Sequence, residues 1–289
     1  MIKYFICPDG IKVEIEKCLT KCRMAERCLS LPTLRSIAQQ RPWKGKPSTT
    51  QLIKGTREAY IEIIFDDLEE DPDDCMFRFL GTKVHLNLEE LTGDMLAEEK
   101  MEDKDLTGIF DLYDHEEKCL YDYKTSGSYK IAKALGLKEI DIPVPGEFFK
   151  SGPRKGQQKT QKKIVQKEPD CRDWELQLNK YRLMIEDAGF PVERIKIEAI
   201  VRDGGTYLAK QRGIVKNSYI IPIRKLPDEE VKEYFADKSK ALLDAISKKE
   251  MPPICSEDER WGGNKCKGYC IACKHCDYGM NLKAGKKIG

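Results

Sequence analysis

The sequence predicts an α/β protein with a mixed central sheet and helices on both faces, and three observations carry that reading. Residues 108–113 and 118–124 have strand character, with apolar residues around Asp111 and Asp122. Asp114-His115-Glu116-Glu117 between them offers no apolar side chain, so the pair reads as a β-hairpin. Residues 194–202 and 218–223 read as two further strands, the first with Ile195, Ile197 and Ala199 alternating with charges. Stretches with apolar residues at helical spacing surround them, at 29–40, 76–100, 173–189 and 229–248.

The elements follow in order. A cysteine-rich head (1–46) includes the helix 29–40, with Leu31, Leu34, Ile37 and Ala38 on one stripe, and a basic loop, 41–46. The core is expected over 47–250. It opens with a helix capped by Ser48 or Thr49 and running through Leu52, Ala59, Ile63 and Ile64. The dense acidic run 66–74 reads as a solvated loop whose charge disfavours contact with DNA. The helix 76–100 follows, with Phe79, Leu80, Val84, Leu88, Leu91 and Met95 near one stripe and His85 beside it. After the hairpin, Thr125-Ser126-Gly127-Ser128 ends the strand; Ser126 and Ser128 serve either phosphate contact or turn formation. A short helix, 129–135, stops at Gly136. Residues 150–167 hold seven Lys or Arg and no acid. They read as a disordered insertion (about 150–168), as a flap tracking a DNA backbone, or as both. In the helix 173–189, Gln177 and Tyr181 form an i, i+4 pair. The helix 229–248 ends before Met251-Pro252-Pro253, and a cysteine-rich tail (251–289) closes the chain.

Length and charge set outer bounds. A chain of 289 residues suits one elaborated domain. Charged residues make up 35% but the net charge is only +2, so no global field draws the protein onto DNA and any DNA site must be a local patch. No apolar run approaches a membrane span and the first residues are too mixed for a signal peptide, so a cytoplasmic protein without a membrane partner is expected.

The hairpin carries the chemistry. Alternation puts Asp122 and Lys124 on one face of the second strand, and pairing across the turn can bring Asp111 beside Asp122. Two adjacent carboxylates repel unless a cation sits between them, and oxygen ligands suit a hard ion such as Mg²⁺ or Mn²⁺. Lys124 would position water or neutralise a phosphodiester transition state. The bland alternative is a hairpin whose charges face water.

Twelve cysteines in a reducing compartment argue for metal rather than disulfides. Cys7, Cys18, Cys22 and Cys28 follow the pattern C-x10-C-x3-C-x5-C, and Cys255, Cys266, Cys270 and Cys276 repeat the same gaps. Such quartets suit a tetrahedral Zn²⁺ site or an iron–sulfur cluster, and spacing does not choose between them. Cys75, Cys119, Cys171 and Cys273 fit neither quartet and read as buried structural residues.

Asp111 followed by Asp122-Tyr123-Lys124 resembles the core of the PD-(D/E)XK nuclease superfamily. Gly81-Thr82-Lys83-Val84-His85 ahead of it and Gln177-Leu178-Asn179-Lys180-Tyr181 behind it are similar to motifs of its RecB-type members, close to the CRISPR-associated adaptation exonucleases. The resemblance covers roughly residues 81–181. It implies a restriction-endonuclease-like core and a metal-dependent exonuclease acting on single-stranded or frayed DNA. Mg²⁺ or Mn²⁺ would be held by His85, Asp111, Asp122 and the Tyr123 carbonyl, Lys124 would activate water, and Gln177 and Tyr181 would shape the DNA channel. It implies a 4Fe-4S cluster on Cys266, Cys270 and Cys276 with Cys22 or Cys28 as fourth ligand, in a subdomain assembled from both termini. Four cysteines at each end exceed that need. Either each quartet closes its own site, zinc being the alternative ion, or Cys7, Cys18 and Cys255 help hold a second metal. A recombination or helicase partner is also implied. Two rival readings remain at this stage, a metal-stapled DNA-binding module without activity and a redox iron–sulfur protein.

Overall fold

A computed structural model describes residues 1–285 of the chain. β1 (Ile2–Ile6) and β2 (Lys12–Glu14) pair antiparallel and are followed by α1 (Ile15–Thr20) and α2 (Leu31–Ile37). α3 (Thr49–Ile53) and α4 (Thr56–Ile64) lead to β3 (Leu68–Glu70), which returns to pair parallel with β1. Then come α5 (Met76–Glu89), β4 (Leu96–Ala97), β5 (Lys100–Glu102), β6 (Thr107–Ile109), β7 (Leu112–Asp114) and β8 (Cys119–Ser126). α6 (Ser128–Ala134) precedes a ribbon of β9 (Leu137–Phe148) and β10 (Gln158–Gln166). α7 (Arg172–Asp187), β11 (Arg194–Val201), α8 (Tyr207–Gln211), β12 (Ser218–Pro222) and α9 (Asp228–Lys248) complete the central part. The tail adds α10 (Asn264–Gly268), a 3-10 turn (Ile271–His275) and α11 (Asp277–Lys283).

The five-stranded sheet has the order β12-β11-β8-β7-β4, with β8 and β11 parallel and the other neighbours antiparallel. It is therefore mixed, and helices flank it. Register sets Leu120, Asp122 and Lys124 beside Ile195, Ile197 and Ala199 on one face. The apolar members of that row are buried in the main core with Trp174, Leu178 and Ile185 of α7. Each such Leu or Ile contributes roughly 2 kcal/mol by leaving water. Fully buried Asn179 fixes the position of α7: its Nδ2 donates to the Glu175 and Arg224 carbonyls at 2.8 Å, and its Oδ1 accepts from Leu226 N at 2.9 Å. No helix among the described residues is long and apolar enough to cross a membrane.

Several expectations are corrected. The helix over 76–100 ends at Glu89; Gly93 turns the chain at φ +61°, and Leu96–Ala97 pairs with β7, so sheet hydrogen bonds override the continuing apolar stripe. The strand expected over 108–113 breaks between Ile109 and Leu112, so Asp111 sits at a junction of two strands. The helix through Leu52 and Ala59 is two helices parted at Gly55, where a side chain would collide with the Cys255 sulfur; Ser48 caps the first of them through a capping box with Gln51. The acidic run contains β3, whose Glu70 takes both Arg78 guanidinium nitrogens at 2.9 Å. Residues 150–167 are no loose insertion: they form the tip of the ribbon and its return strand, because Ile140, Ile142 and Val144 give the lysine-rich strand an alternating partner.

The cysteine-rich ends rest on different cores. Phe5, Cys18, Leu34, Ile37 and Cys75 form a small cluster under the head, whereas Ala272 of the tail belongs to the main core with Cys270 and Cys276 packed against it. The tail reaches β3, the strand that pairs with β1 of the head, through His275–Asp67 at 3.1 Å and Lys274–Glu69.

Candidate active site

Gly81 explains how α5 reaches the sheet. A Cβ there would lie 3.2 Å from Thr125 Oγ1, so the missing side chain lets the helix seat on β8. One turn later His85 faces the strand, its Nε2 2.9 Å from the Tyr123 carbonyl and its Nδ1 3.4 Å from Asp111 Oδ1 and 3.7 Å from Glu98 Oε1. Asp111 Oδ2 accepts the Tyr123 N–H at 2.7 Å. Among the described residues, His85, Glu98 and Asp111 are the one group of three or more His, Cys, Asp or Glu whose ligand atoms all lie within 4.8 Å of one another.

Asp122 is 1% exposed. Lys124 Nζ stands 2.5 Å from its Oδ2, so the buried carboxylate oxygen is held by this ion pair alone. Burial raises the Asp122 carboxyl, the Lys124 charge opposes that, and Asp111 adds to it. Burial works against the Lys124 ammonium, but Asp122 and Asp111 outweigh it and hold the amine above its ordinary value. Hydrogen bonding to Asp111 and Glu98 pushes His85 up to about 10. Three carboxylates thus converge, compensated only by an imidazolium and an ammonium.

Tyr181, buried on α7, accepts from Gln177 Nε2 at 3.2 Å. Burial pushes its hydroxyl up to about 12, and it senses the charges of Asp122, Lys124 and Asp111. Gly108 makes room for its ring, since a Cβ there would lie 2.9 Å from Tyr181 Cε1. Ser128 has no capacity left for a phosphate contact, because Asp203 Oδ2 at 2.6 Å and Arg212 at 2.9 Å already occupy its hydroxyl.

His85, Asp111, Asp122, the Tyr123 carbonyl, Lys124, Gln177 and Tyr181 are therefore brought together. Glu98 joins them unannounced. It lay inside the expected helix, and its one signal is conformational: φ is +49°, unusual for a side chain of this kind, with its N–H donating to the Asp111 carbonyl at 3.2 Å. The donor set, two carboxylates and an imidazole that would give up its proton to an incoming cation, fits a hard divalent ion. Gly81→Val should lift α5 from β8 and weaken Mn²⁺ binding by about tenfold, roughly 1.4 kcal/mol, as read by calorimetry. Unchanged affinity would mean that His85 does not depend on the helix seat.

The cysteines divide by quartet. Cys18 is raised chiefly by burial and then by the neighbouring thiols Cys22, Cys28 and Cys7. Cys255, Cys266, Cys270 and Cys276 line one internal cavity with Arg57 and Arg260. Cys22 and Cys28 do not line that cavity, whereas Cys255 does. Arg57 reaches Cys276 Sγ at 3.8 Å, and the buried Arg260 Nε has no hydrogen-bond partner. Cys75, Cys119, Cys171 and Cys273 are buried outside these sets, though Cys273 borders the tail cavity.

No protein-family model and no curated protein matches the chain. The chain is similar to the crystal structure of SSO0001, with TM-score 0.41 and 14% identity over 85% of this chain and 93% of that one. It is also similar to a phage related exonuclease from Haemophilus somnus 129PT, with TM-score 0.39 and 12% identity over 71% of this chain and 96% of that one. Both are distant likenesses.

Proposed function

We propose that the protein is a metal-dependent nuclease of the PD-(D/E)XK type that hydrolyses DNA phosphodiesters from single-stranded or frayed ends. The observation that carries this reading is the convergence of His85, Glu98 and Asp111, with the buried Asp122–Lys124 pair on the neighbouring strand. Mg²⁺ or Mn²⁺ bound there by His85, Asp111, Asp122 and the Tyr123 carbonyl would supply Lewis-acid polarisation of a phosphate oxygen and a more acidic water.

The chain's own residues do the rest. Lys124 acts as a charge rather than as a base, since the carboxylates beside it oppose loss of its proton; it offsets negative charge developing on the phosphate. Tyr181, held by Gln177, closes the apolar side of the site against water.

A strand path is supported just past the end of β8. Phe77 is 61% exposed with the Arg202 guanidinium 3.6 Å over its ring, and Tyr129 is exposed beside Arg212. Exposed aromatic faces with arginines suit unpaired bases and their phosphates. The ribbon adds basic charge, although Lys159 pairs with Glu147 at 3.1 Å and Lys162 with Glu139 at 2.5 Å. Replacing Lys159, Lys162, Lys163 and Lys167 with Gln should weaken DNA affinity and flatten its salt dependence, with little change in single-turnover rate at saturating DNA. An unchanged salt slope would make the ribbon a spacer.

The tail quartet, Cys255, Cys266, Cys270 and Cys276, is proposed to hold a 4Fe-4S cluster, with Arg57 and the unpartnered Arg260 Nε suited to its negative charge. The activity is tested with end-labelled single-stranded DNA and Mn²⁺: stepwise shortening abolished by chelator is expected, and binding without cleavage would favour a DNA-binding module.

A further inference from the structure

Glu98 and Asp111 are held opposite one another by the backbone. β4 pairs with β7 as Leu96 with Tyr113 and Ala97 with Leu112, and β5 pairs with β6 as Lys100 with Ile109, Met101 with Gly108 and Glu102 with Thr107. The two ladders keep one register, so Glu98 falls across from Asp111 at the break between them, and its N–H donates to the Asp111 carbonyl at 3.2 Å. Residues opposite each other on antiparallel strands carry their side chains on the same face. Two carboxylates are thereby brought to one spot, and among the described residues neither pairs with a lysine or arginine; His85 is the ion-pair partner of both. Glu98 also keeps φ at +49°, a left-handed angle that favours glycine, so the position retains its side chain at a conformational cost.

His85 decides which atoms face that spot. A carbonyl oxygen can only accept, so the 2.9 Å contact with Tyr123 puts a proton on Nε2. Nδ1, on the opposite edge of the ring, faces Asp111 Oδ1 at 3.4 Å and Glu98 Oε1 at 3.7 Å. A histidine that binds a metal through one nitrogen almost always donates its other N–H to a carboxylate, a backbone carbonyl or water, which fixes the tautomer and the ring orientation. His85 has that support already. An ion on Nδ1 lies across the ring from the Tyr123 carbonyl, on the side where Asp111 and Glu98 supply the oxygens, and the three ligand atoms stand within 4.8 Å of one another.

We propose that Glu98 is a ligand of the active-site Mg²⁺ or Mn²⁺, together with His85 Nδ1 and Asp111, in the place that the resemblance gives to the Tyr123 carbonyl. The inference rests on the metal site of the proposed nuclease and alters it at one position. On binding, the ion takes the Nδ1 lone pair, any proton there leaves to solvent, and no redox step is involved.

The test is titration of the full-length protein with Mn²⁺, followed by calorimetry. Glu98→Gln should weaken binding at least about tenfold, since losing a partner outside the ligand set already costs that much. Gln keeps an oxygen that can accept from His85, so a Glu98 that merely orients the ring would leave the affinity of this variant at the parental value. Glu98→Gly accepts φ of +49° without strain, so it should melt close to the parental temperature and lose affinity to a similar extent. The Mg²⁺-saturated parent needs no variant. With three histidines in the chain, its long-range proton–nitrogen NMR spectrum should show His85 protonated on Nε2 and bare on Nδ1. Parental Mn²⁺ affinity in both variants, or a metal-bound His85 bare on Nε2, would overturn the assignment of Glu98 and leave the metal site standing. A parent protein that binds no Mn²⁺ would overturn the site and this ligand with it.

Discussion

Asp122→Asn should slow Mn²⁺-dependent cleavage by about 10³-fold under single-turnover conditions, equivalent to ~4 kcal/mol of transition-state stabilisation, while DNA affinity changes less than about twofold. The substitution keeps the volume of a fully enclosed side chain and removes one carboxylate oxygen and the charge that pairs with Lys124. The proposed DNA contacts lie elsewhere, on the ribbon and on the surface around Phe77 and Arg202, so binding should survive. Lys124→Ala should cost about 10²–10³-fold, the scale of removing one preorganised donor to a developing charge. It also leaves Asp122 buried without its cation, so the variant's melting temperature belongs beside its rate. Either variant cutting at near the parental rate would show that the active site lies somewhere else.

Cys270→Ala should produce the largest loss of stability. Cys270 packs against the main core and lines the cavity shared with Cys255, Cys266 and Cys276, so the proposed cluster there would fasten the tail to α4 and to the core beneath. Because the binding-competent arrangement exists only in the folded chain, binding free energy becomes folding free energy. Iron content and solubility should fall together, and the melting temperature should drop by roughly 10 °C, which is about 6 kcal/mol for a protein of this size. Nuclease activity should decline only in step with the folded fraction. A variant with full metal content and parental melting temperature would remove Cys270 from the ligand set. A colourless protein that holds zinc but no iron would overturn the iron–sulfur assignment and leave the thiolate site standing.

What could be read from the sequence was local and periodic. Asp122 and Lys124 share a face of β8 because residues two apart on a strand always do, and Gln177 meets Tyr181 because residues four apart on a helix do. β11, β12, α7 and α9 were legible for the same reason, each carrying an unbroken period of its own. Glu98 was not legible, since its place follows from β4 pairing with β7 and from a left-handed backbone angle that no apolar pattern encodes. The role of Gly81 was hidden too, because the atom it makes room for, Thr125 Oγ1, lies on an element more than forty residues away.

The cysteines mark the boundary most clearly. Their sequence determined that two quartets with identical gaps exist, and through thiol chemistry what kind of ion they suit. Spacing along a chain fixes only how far apart ligands can be, so it permitted one bridging centre or two separate ones. Tertiary structure decided which core each end rests on: Cys18 of the head packs with Phe5 and Leu34, and the tail quartet lines a cavity against α4 and the main core, because each segment buried its apolar residues against a different neighbour.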